Sequence, residues 1–222
     1  FGSIKINQGD SIILTGRYLD YFGENNVASM KGNVEFQDNH MTLETEEINY
    51  NLLTKTASYP KKGTISDNEK KIKSKKGSYQ SNNYNFNFND SVIVIGQDYK
   101  IFTDNMKYNS KDEISYFYGP SQIVSENKII YCENGWYNTK KDIAQFRKNA
   151  YISNKKNILK GDSLYYNKNN GFGKAIGNVQ VIDTIDNILI LGGIAKYYEL
   201  NEKVIITKTP TLKIAFELDT LF

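Results

Sequence analysis

Apolar and polar positions along this chain recur with a step of 29 residues, and that recurrence is the first thing the sequence establishes. Aliphatic side chains stand at Leu14, Leu43, Ile72, Ile101, Ile130, Leu159 and Ile188. A tyrosine follows seven residues after each of the first six, at Tyr21, Tyr50, Tyr79, Tyr108, Tyr137 and Tyr166. The seventh, Tyr197, comes two residues late, which points to an insertion near Gly192 and Gly193. Two further series keep the step: Met30, Tyr59, Phe88, Phe117, Phe146 and Ala175, then Phe36, Ile65, Val94, Ile123, Ile152 and Val181. Ile206 and Leu212 continue them beyond the shift.

Within each repeat the apolar residues alternate with polar ones, as in Phe86-Asn87-Phe88 and Val179-Gln180-Val181. Side chains two apart share one face of a strand, so this period predicts half-buried strands with one face inward. Polar clusters break the pattern at Gly23 to Asn26, Ser81 to Asn83, Asn109 to Asp112, Asn138 to Lys141 and Asn167 to Asn170. Asp38-Asn39 and Asp186-Asn187 do so at the other end of the repeat, which predicts strands of about eight residues between short turns. Gly32-Asn33, Gly119-Pro120 and Gly177-Asn178 interrupt the second arm. Gly and Asn accept positive φ, so a bulge or corner is predicted at one level of the sheet, giving a V-shaped or rolled cross-section.

One such unit cannot bury its inner face alone, so stability has to come from neighbours stacked beside it. The expectation is an all-β, elongated repeat array of about seven 29-residue repeats forming a single domain over residues 1–222. Ser3-Ile4-Lys5-Ile6 already reads as a strand and the chain leaves on Ala215-Phe216-Glu217-Leu218, so it is read as a fragment truncated at both ends. Uncapped end strands would offer free backbone groups to a further strand.

Composition narrows the function. Only Arg17 and Arg147 are arginines and the net charge is +3, which argues against a nucleic-acid partner. Cys132 is the lone cysteine and occupies the slot held elsewhere by Thr45, Ser74 and Thr103, so it reads as a small packing residue. With His40 the only histidine, and Glu44, Glu46 and Glu47 lacking a matching cluster, no catalytic residue, metal site or cofactor is expected. Lys61-Lys62 and Lys70 to Lys76 read as solvated turns and edge protection, with attraction of anionic groups as the functional alternative. The tyrosines read as packing, with their hydroxyls reaching water. Two architectures fit the apolar rows: a lengthwise apolar trough, or a parallel-stacked β-solenoid with a closed core. The second would be structural or adhesive and could host carbohydrate binding or cleavage. Strand direction separates them.

Short motifs add a resemblance. Gly32-Asn33-Val34 and Gly177-Asn178-Val179 repeat one step, and Asp104-Asn105-Met106-Lys107-Tyr108-Asn109 and Asp162-Ser163-Leu164-Tyr165-Tyr166-Asn167 repeat an acidic-x-aliphatic-x-Tyr-polar strand. Glu133-Asn134-Gly135-Trp136-Tyr137-Asn138 is a looser copy. On these residues the chain resembles the OstA/LptA-like family of lipopolysaccharide-transport proteins, and the stretch from Tyr131 to Tyr137 looks most like its larger members. The resemblance implies an antiparallel β-jellyroll, open along one side. Its apolar interior would hold the acyl chains of lipopolysaccharide while the sugars project outward, in a periplasmic protein that bridges inner and outer membrane components. The implied partners are lipopolysaccharide, other transport proteins joined through edge strands, and further copies added head to tail. The groove-lining candidates are then Leu43, Ile72, Ile101, Ile130, Leu159, Met30, Phe88, Phe117, Phe146, Phe36, Ile65, Val94, Ile123, Ile152 and Val181. Gly77 and Gly135 take the aliphatic place in the Tyr strand, and Lys61-Lys62-Gly63 replaces Gly-Asn-Val, which leaves local pairing open there.

Overall fold

Alternating sequences of this kind form strands because each pleat sends neighbouring side chains to opposite faces, and the computed structural model follows that rule throughout. It describes residues 4–8, 12–38, 41–66, 70–201 and 203–214. His40, Asn39 and the stretch Ala215 to Leu218 lie outside them. Among the described residues there are only strands, turns and two single-turn 3-10 segments, at Ser81–Asn83 and Glu199–Asn201. No helix there is long and apolar enough to cross a membrane.

The chain divides into two compact units, residues 1–121 and 122–222. The first holds β1 (Ile4–Gln8), β2 (Ile12–Gly16), β3 (Tyr18–Phe22), β4 (Val27–Asp38), β5 (Met41–Asn51), β6 (Thr56–Tyr59), β7 (Gly63–Ser66), β8 (Lys71–Ser74), β9 (Lys76–Gln80), β10 (Asn85–Ile95), β11 (Tyr99–Asn109) and most of β12 (Ile114–Ser125). The second holds the end of β12 and β13 (Lys128–Asn138), β14 (Ile143–Ser153), β15 (Asn157–Asn167), β16 (Phe172–Asp183), β17 (Ile188–Tyr198), β18 (Lys203–Thr207) and β19 (Thr211–Ile214).

Each arm pairs antiparallel with the next in chain order. In the first unit β2 and β3 together line β4, β4 pairs with β5, β6 and β7 together line β5, and β8 and β9 together line β10, which pairs with β11. In the second, β13 to β17 pair in sequence, and β18 and β19 share β17. Antiparallel pairing overturns the parallel-solenoid alternative, in which equivalent positions of successive repeats would be neighbours. Here the series interleave instead: Leu14, Phe36, Leu43, Ile65, Ile72, Val94 and Ile101 are successive cross-strand partners. Two of the sequence series are thus one row of the sheet.

The unbroken arms run 11 or 12 residues, longer than expected from sequence. They are longer because the corner bends an arm without ending it. Pairs of residues with positive φ sit at Gly32-Asn33, Asp90-Ser91, Lys148-Asn149 and Gly177-Asn178, and Gly119 adds a single one. Pairing register shifts across each of the four pairs. The steps at Asp90-Ser91 and Lys148-Asn149 contain no glycine and were not foreseen, although both fall on the 29-residue step from Gly32. Where that step meets Lys61-Lys62, the arm is interrupted between β6 and β7.

The late tyrosine has a different cause from the one expected. Leu159, Val181, Ile190 and Leu212 are successive partners, and Tyr166, Gly173 and Tyr197 are too. The spacing within β17 is therefore regular, and the two extra residues belong to the turn at Thr184 to Asn187, not to Gly192-Gly193. Ile188 falls outside the row, between Asp183 and Ile214, and Ile190 takes the place assigned to it.

Turns at the tyrosine end are stacked by a repeated bond. The backbone N–H groups of Leu52, Ser81, Ser110 and Lys168 donate to the carbonyls of Asn26, Lys55, Tyr84 and Asp142, at 2.9, 3.1, 3.0 and 2.9 Å respectively. All four acceptor residues have positive φ, between 50° and 58°. The Asn that follows the tyrosine closes its own turn, the Oδ1 of Asn51, Asn109, Asn138 and Asn167 accepting from the turn backbone. That is the physical content of the Tyr-polar motif.

Pairing at the two departures is intact. Gly77 faces Phe88 on one side and Tyr59 on the other, and a Cβ there would collide with the Tyr59 phenol. Gly135 faces Phe146, and a Cβ would meet the Gln145 carbonyl at 2.7 Å. Replacing Gly77 by Val is therefore expected to cost about 1–3 kcal/mol through overpacking. Gly23→Ala, where the nearest neighbour of an added Cβ is the Tyr21 ring at 3.8 Å, should stay within about 0.5 kcal/mol of the parent. Urea unfolding midpoints of the two variants check this, and equal midpoints would contradict it.

Candidate functional site

The bends turn a flat sheet into an enclosed one. Eight residues of β4 separate Phe36 from Ala28 in the tyrosine row, roughly 26 Å along a flat strand at 3.3 Å per residue. Yet the Phe36 ring lies 5.7 Å from Tyr50 and 6.3 Å from Tyr79, centroid to centroid. The half of the sheet beyond the corner therefore folds back over the half that carries the tyrosines. The inward residues of both halves face one another across a trough.

In the first unit this trough is filled. Met30, Phe36, Leu43, Ile65, Ile72, Phe88, Val94, Ile101 and Phe117 are all buried, none more than 5% exposed. Aromatic rings do much of the filling, with Tyr79 stacked on Phe86 at 4.3 Å and Phe86 against Phe88 at 5.8 Å and Tyr108 at 6.0 Å. Tyrosines alternate with small partners, Ala28 beside Tyr50 and Ala57 beside Tyr79, so that large and small side chains interlock.

In the second unit the same rows are less deeply buried. Of the candidates there, Phe146 is buried, while Ile123, Ile130, Ile152, Leu159 and Val181 are only half-buried. Ile130, Ile152, Leu159, Val181 and Ile190 are successive cross-strand partners, one aliphatic row across β13 to β17. The inward positions around it are small: Ala144 and Gly173 flank Tyr166, Ala175 pairs with Ala195, and Gly161 pairs with Ala150. Aromatic pairs in this unit, Tyr131 on Tyr151 at 5.3 Å and Phe172 against Tyr198 at 5.5 Å, alternate out of the inward rows and occupy the opposite face. The structure thus brings the sequence candidates onto one face in each unit, and separates them into a packed set and an accessible one. The missed signal was the run of Ala and Gly at inward positions, together with Ile190, hidden by the misplaced insertion.

Polar groups inside the trough are satisfied. At the corner, the hydroxyls of Thr45, Ser74 and Thr103 donate to the carbonyls of Glu47, Lys76 and Asn105, two residues on. Cys132 takes the same slot, 2% exposed, and burial pushes its thiol up to about 12, so it is a packing group with no nucleophilic character near neutral pH. The tyrosine hydroxyls depart from expectation. Tyr79 donates to the carboxylate of Asp38 at 2.8 Å, and Asp38 is itself 5% exposed, while the Lys70 ammonium donates to the Tyr108 hydroxyl at 2.6 Å. Elsewhere in the lysine cluster Lys75 pairs with Asp90 at 3.0 Å, both exposed, and the exposed Lys61 pairs with the half-buried Glu47 at 3.0 Å; pairs so open to solvent carry small energetic weight. No group of three or more metal-ligating side chains occurs among the described residues. A separate recess of about 340 Å³ on the first unit is lined by Val27, Asn49, Asn51, Thr54, Thr56, Ser58 and Gln80, neutral polar groups apart from the valine.

A family model described as OstA-like protein matches residues 1–104 and 96–162. Comparison with curated proteins returns no match.

Burial pushes the Tyr50 and Tyr59 phenols from 10.0 up to about 12, the Asp38 charge adding to the effect on Tyr50 and the Ser74 hydrogen bond opposing it on Tyr59. Tyr79 is raised by burial first and by its bond to Asp38 second. A phenol whose folded value is raised stabilises the fold fully below its unfolded value and loses that contribution as pH climbs towards the folded one. Stability is therefore expected to hold to about pH 10 and to fall steeply between 10 and 12, with phenolate absorbance and loss of tertiary signal appearing together. Smooth ionisation of these tyrosines while the fold persists would contradict the burial assignment.

Proposed function

The chain belongs to the OstA-like family, and from that premise we propose that it is a lipopolysaccharide-transport module which shields acyl chains inside its bent sheet. The observation that carries this reading is the half-buried aliphatic row from Ile130 to Ile190, set among Ala and Gly. At about 4.8 Å per strand the row extends roughly 19 Å from β13 to β17, long enough to take an extended fatty tail of a dozen carbons. Each buried CH₂ contributes about 0.8 kcal/mol, so such a tail gains on the order of 10 kcal/mol before ordering losses. An apolar strip with no charged or nucleophilic group at its floor suits holding and passing a tail, and supports a binding role in place of a catalytic one.

Residues 1–222 act in this reading as one repeat module in the periplasm, with lipopolysaccharide as the ligand and no cofactor. Edge strands supply the contacts to other transport components between inner and outer membranes, and to further copies head to tail, because an antiparallel array presents the same unpaired backbone groups that a further arm would satisfy.

Photocrosslinking groups placed singly at Ile152 and Leu159 are expected to label with lipopolysaccharide. The same groups at the outward neighbours Tyr151 and Lys160 should not, since adjacent residues of a strand face opposite sides. Equal labelling at all four positions, or labelling at the outward pair alone, would refute the groove.

A further inference from the structure

Three contacts share a geometry that packing alone does not require. Asp38 ends β4 and meets the Tyr79 hydroxyl of β9 at 2.8 Å. Lys70 immediately precedes β8 and meets the Tyr108 hydroxyl of β11 at 2.6 Å, its ammonium 4.2 Å from the ring centroid. Lys128 begins β13 and lies over the Tyr166 ring of β15 at 5.7 Å. In each, a residue at the far tip of one half of the bent sheet reaches the tyrosine row of the other half. These are the two margins of the trough, so the contacts run along its mouth.

We infer that the Asp38–Tyr79 and Lys70–Tyr108 contacts form a breakable polar seam that closes the trough of the first unit, and that an acyl chain reaches its buried rows only when this seam parts. The inference rests on the acyl-groove reading of the preceding section and adds the control of access to it. Under the seam, Phe36 is 0% exposed and touches both Tyr50 and Tyr79. In the second unit, where the corresponding Lys128–Tyr166 approach is longer, Ile130, Ile152 and Leu159 stay half-buried.

The chemistry of the seam suits opening. An apolar margin would expose greasy surface when it parted, whereas a carboxylate, an ammonium and two phenols each regain water. The net cost of losing one such bond is small because hydration of the freed groups offsets most of it. In the closed state the Asp38 carboxylate, 5% exposed, accepts the hydrogen bond from Tyr79. Both states are then satisfied, which is what a two-state margin requires.

The test combines Tyr79→Phe and Lys70→Met, which remove the hydroxyl and the ammonium and keep ring and stem. Asp38→Asn serves as the conservative control, since its amide oxygen still accepts from Tyr79. Amide hydrogen exchange is read first, without lipid: β4 and β5 should exchange about tenfold faster in the double variant and at the parent rate in the control. Azidophenylalanine at Phe36 is then photolysed with purified lipopolysaccharide, and its labelling should rise about tenfold in the double variant while labelling from Ile152 stays constant. Unchanged exchange in the double variant, or labelling at Phe36 as strong in the parent as in the variant, overturns the seam. Faster exchange with no labelling at either Phe36 or Ile152 leaves the seam standing and removes the lipid reading instead.

Discussion

The doubling back of each arm at its corner is the constraint from which the remaining features follow. A flat antiparallel sheet with these sequences would leave its whole apolar face in water, because no helix or second sheet is present among the described residues to cover it. Two consecutive residues with positive φ, at Gly32-Asn33, Asp90-Ser91, Lys148-Asn149 and Gly177-Asn178, let the face cover itself. For the non-glycine members this conformation carries a cost, and it recurs at the same level on alternate arms of the sheet. A corner in one arm alone would tear the ladder on both sides. The 29-residue step is therefore a requirement of register, and the stacked turn bonds from Leu52, Ser81, Ser110 and Lys168 hold it at the other end of the arm.

Legibility in the sequence follows the same division. Positions that must repeat for register could be read directly: the alternation, the tyrosine row, the glycine-bearing corners and the all-β class. The chain could not show by itself that Leu14 and Phe36 belong to one row, because interleaving of two series depends on strand direction, which apolar spacing leaves open. Asp90-Ser91 and Lys148-Asn149 escaped because the corner was sought by residue type, whereas the neighbours enforce it by position. The two-residue shift was assigned to Gly192-Gly193 because glycines mark irregularity; the antiparallel partners of β17 place it in a turn, where extra length disturbs no pairing. Long-range polar contacts such as Tyr79 with Asp38, 41 residues apart, had no local signature at all.

What differs between the two units is side-chain volume on a shared backbone plan. Phe86 stands inward in β10, between Tyr79 and Tyr108, at a position where β4 and β6 carry Ala28 and Ala57 and the arms of the second unit carry Ala144 and Gly173. Protein interiors tolerate little empty space, so removing a ring from such a position leaves either a collapsed sheet or room for something else. Backbone pairing through β13 to β17 is complete, and the aliphatic row remains half-buried, so the sheet has not collapsed. The aromatic residues are not missing from this unit; Tyr131, Tyr151, Phe172 and Tyr198 face the other way.

Under the acyl-chain proposal, a row of near-equal aliphatic sites would also answer a problem that a deep pocket creates. A tail held by about 10 kcal/mol in one place leaves slowly, since escape must surrender the whole gain at once. Along a row whose neighbouring positions are chemically alike, the tail gives up contact with one side chain as it meets the next, and only the difference between sites opposes movement. Ile130, Ile152, Leu159, Val181 and Ile190 supply such a row, all of them aliphatic. On that proposal, the repeat that makes the fold stable would be the same property that makes its interior suitable for passage.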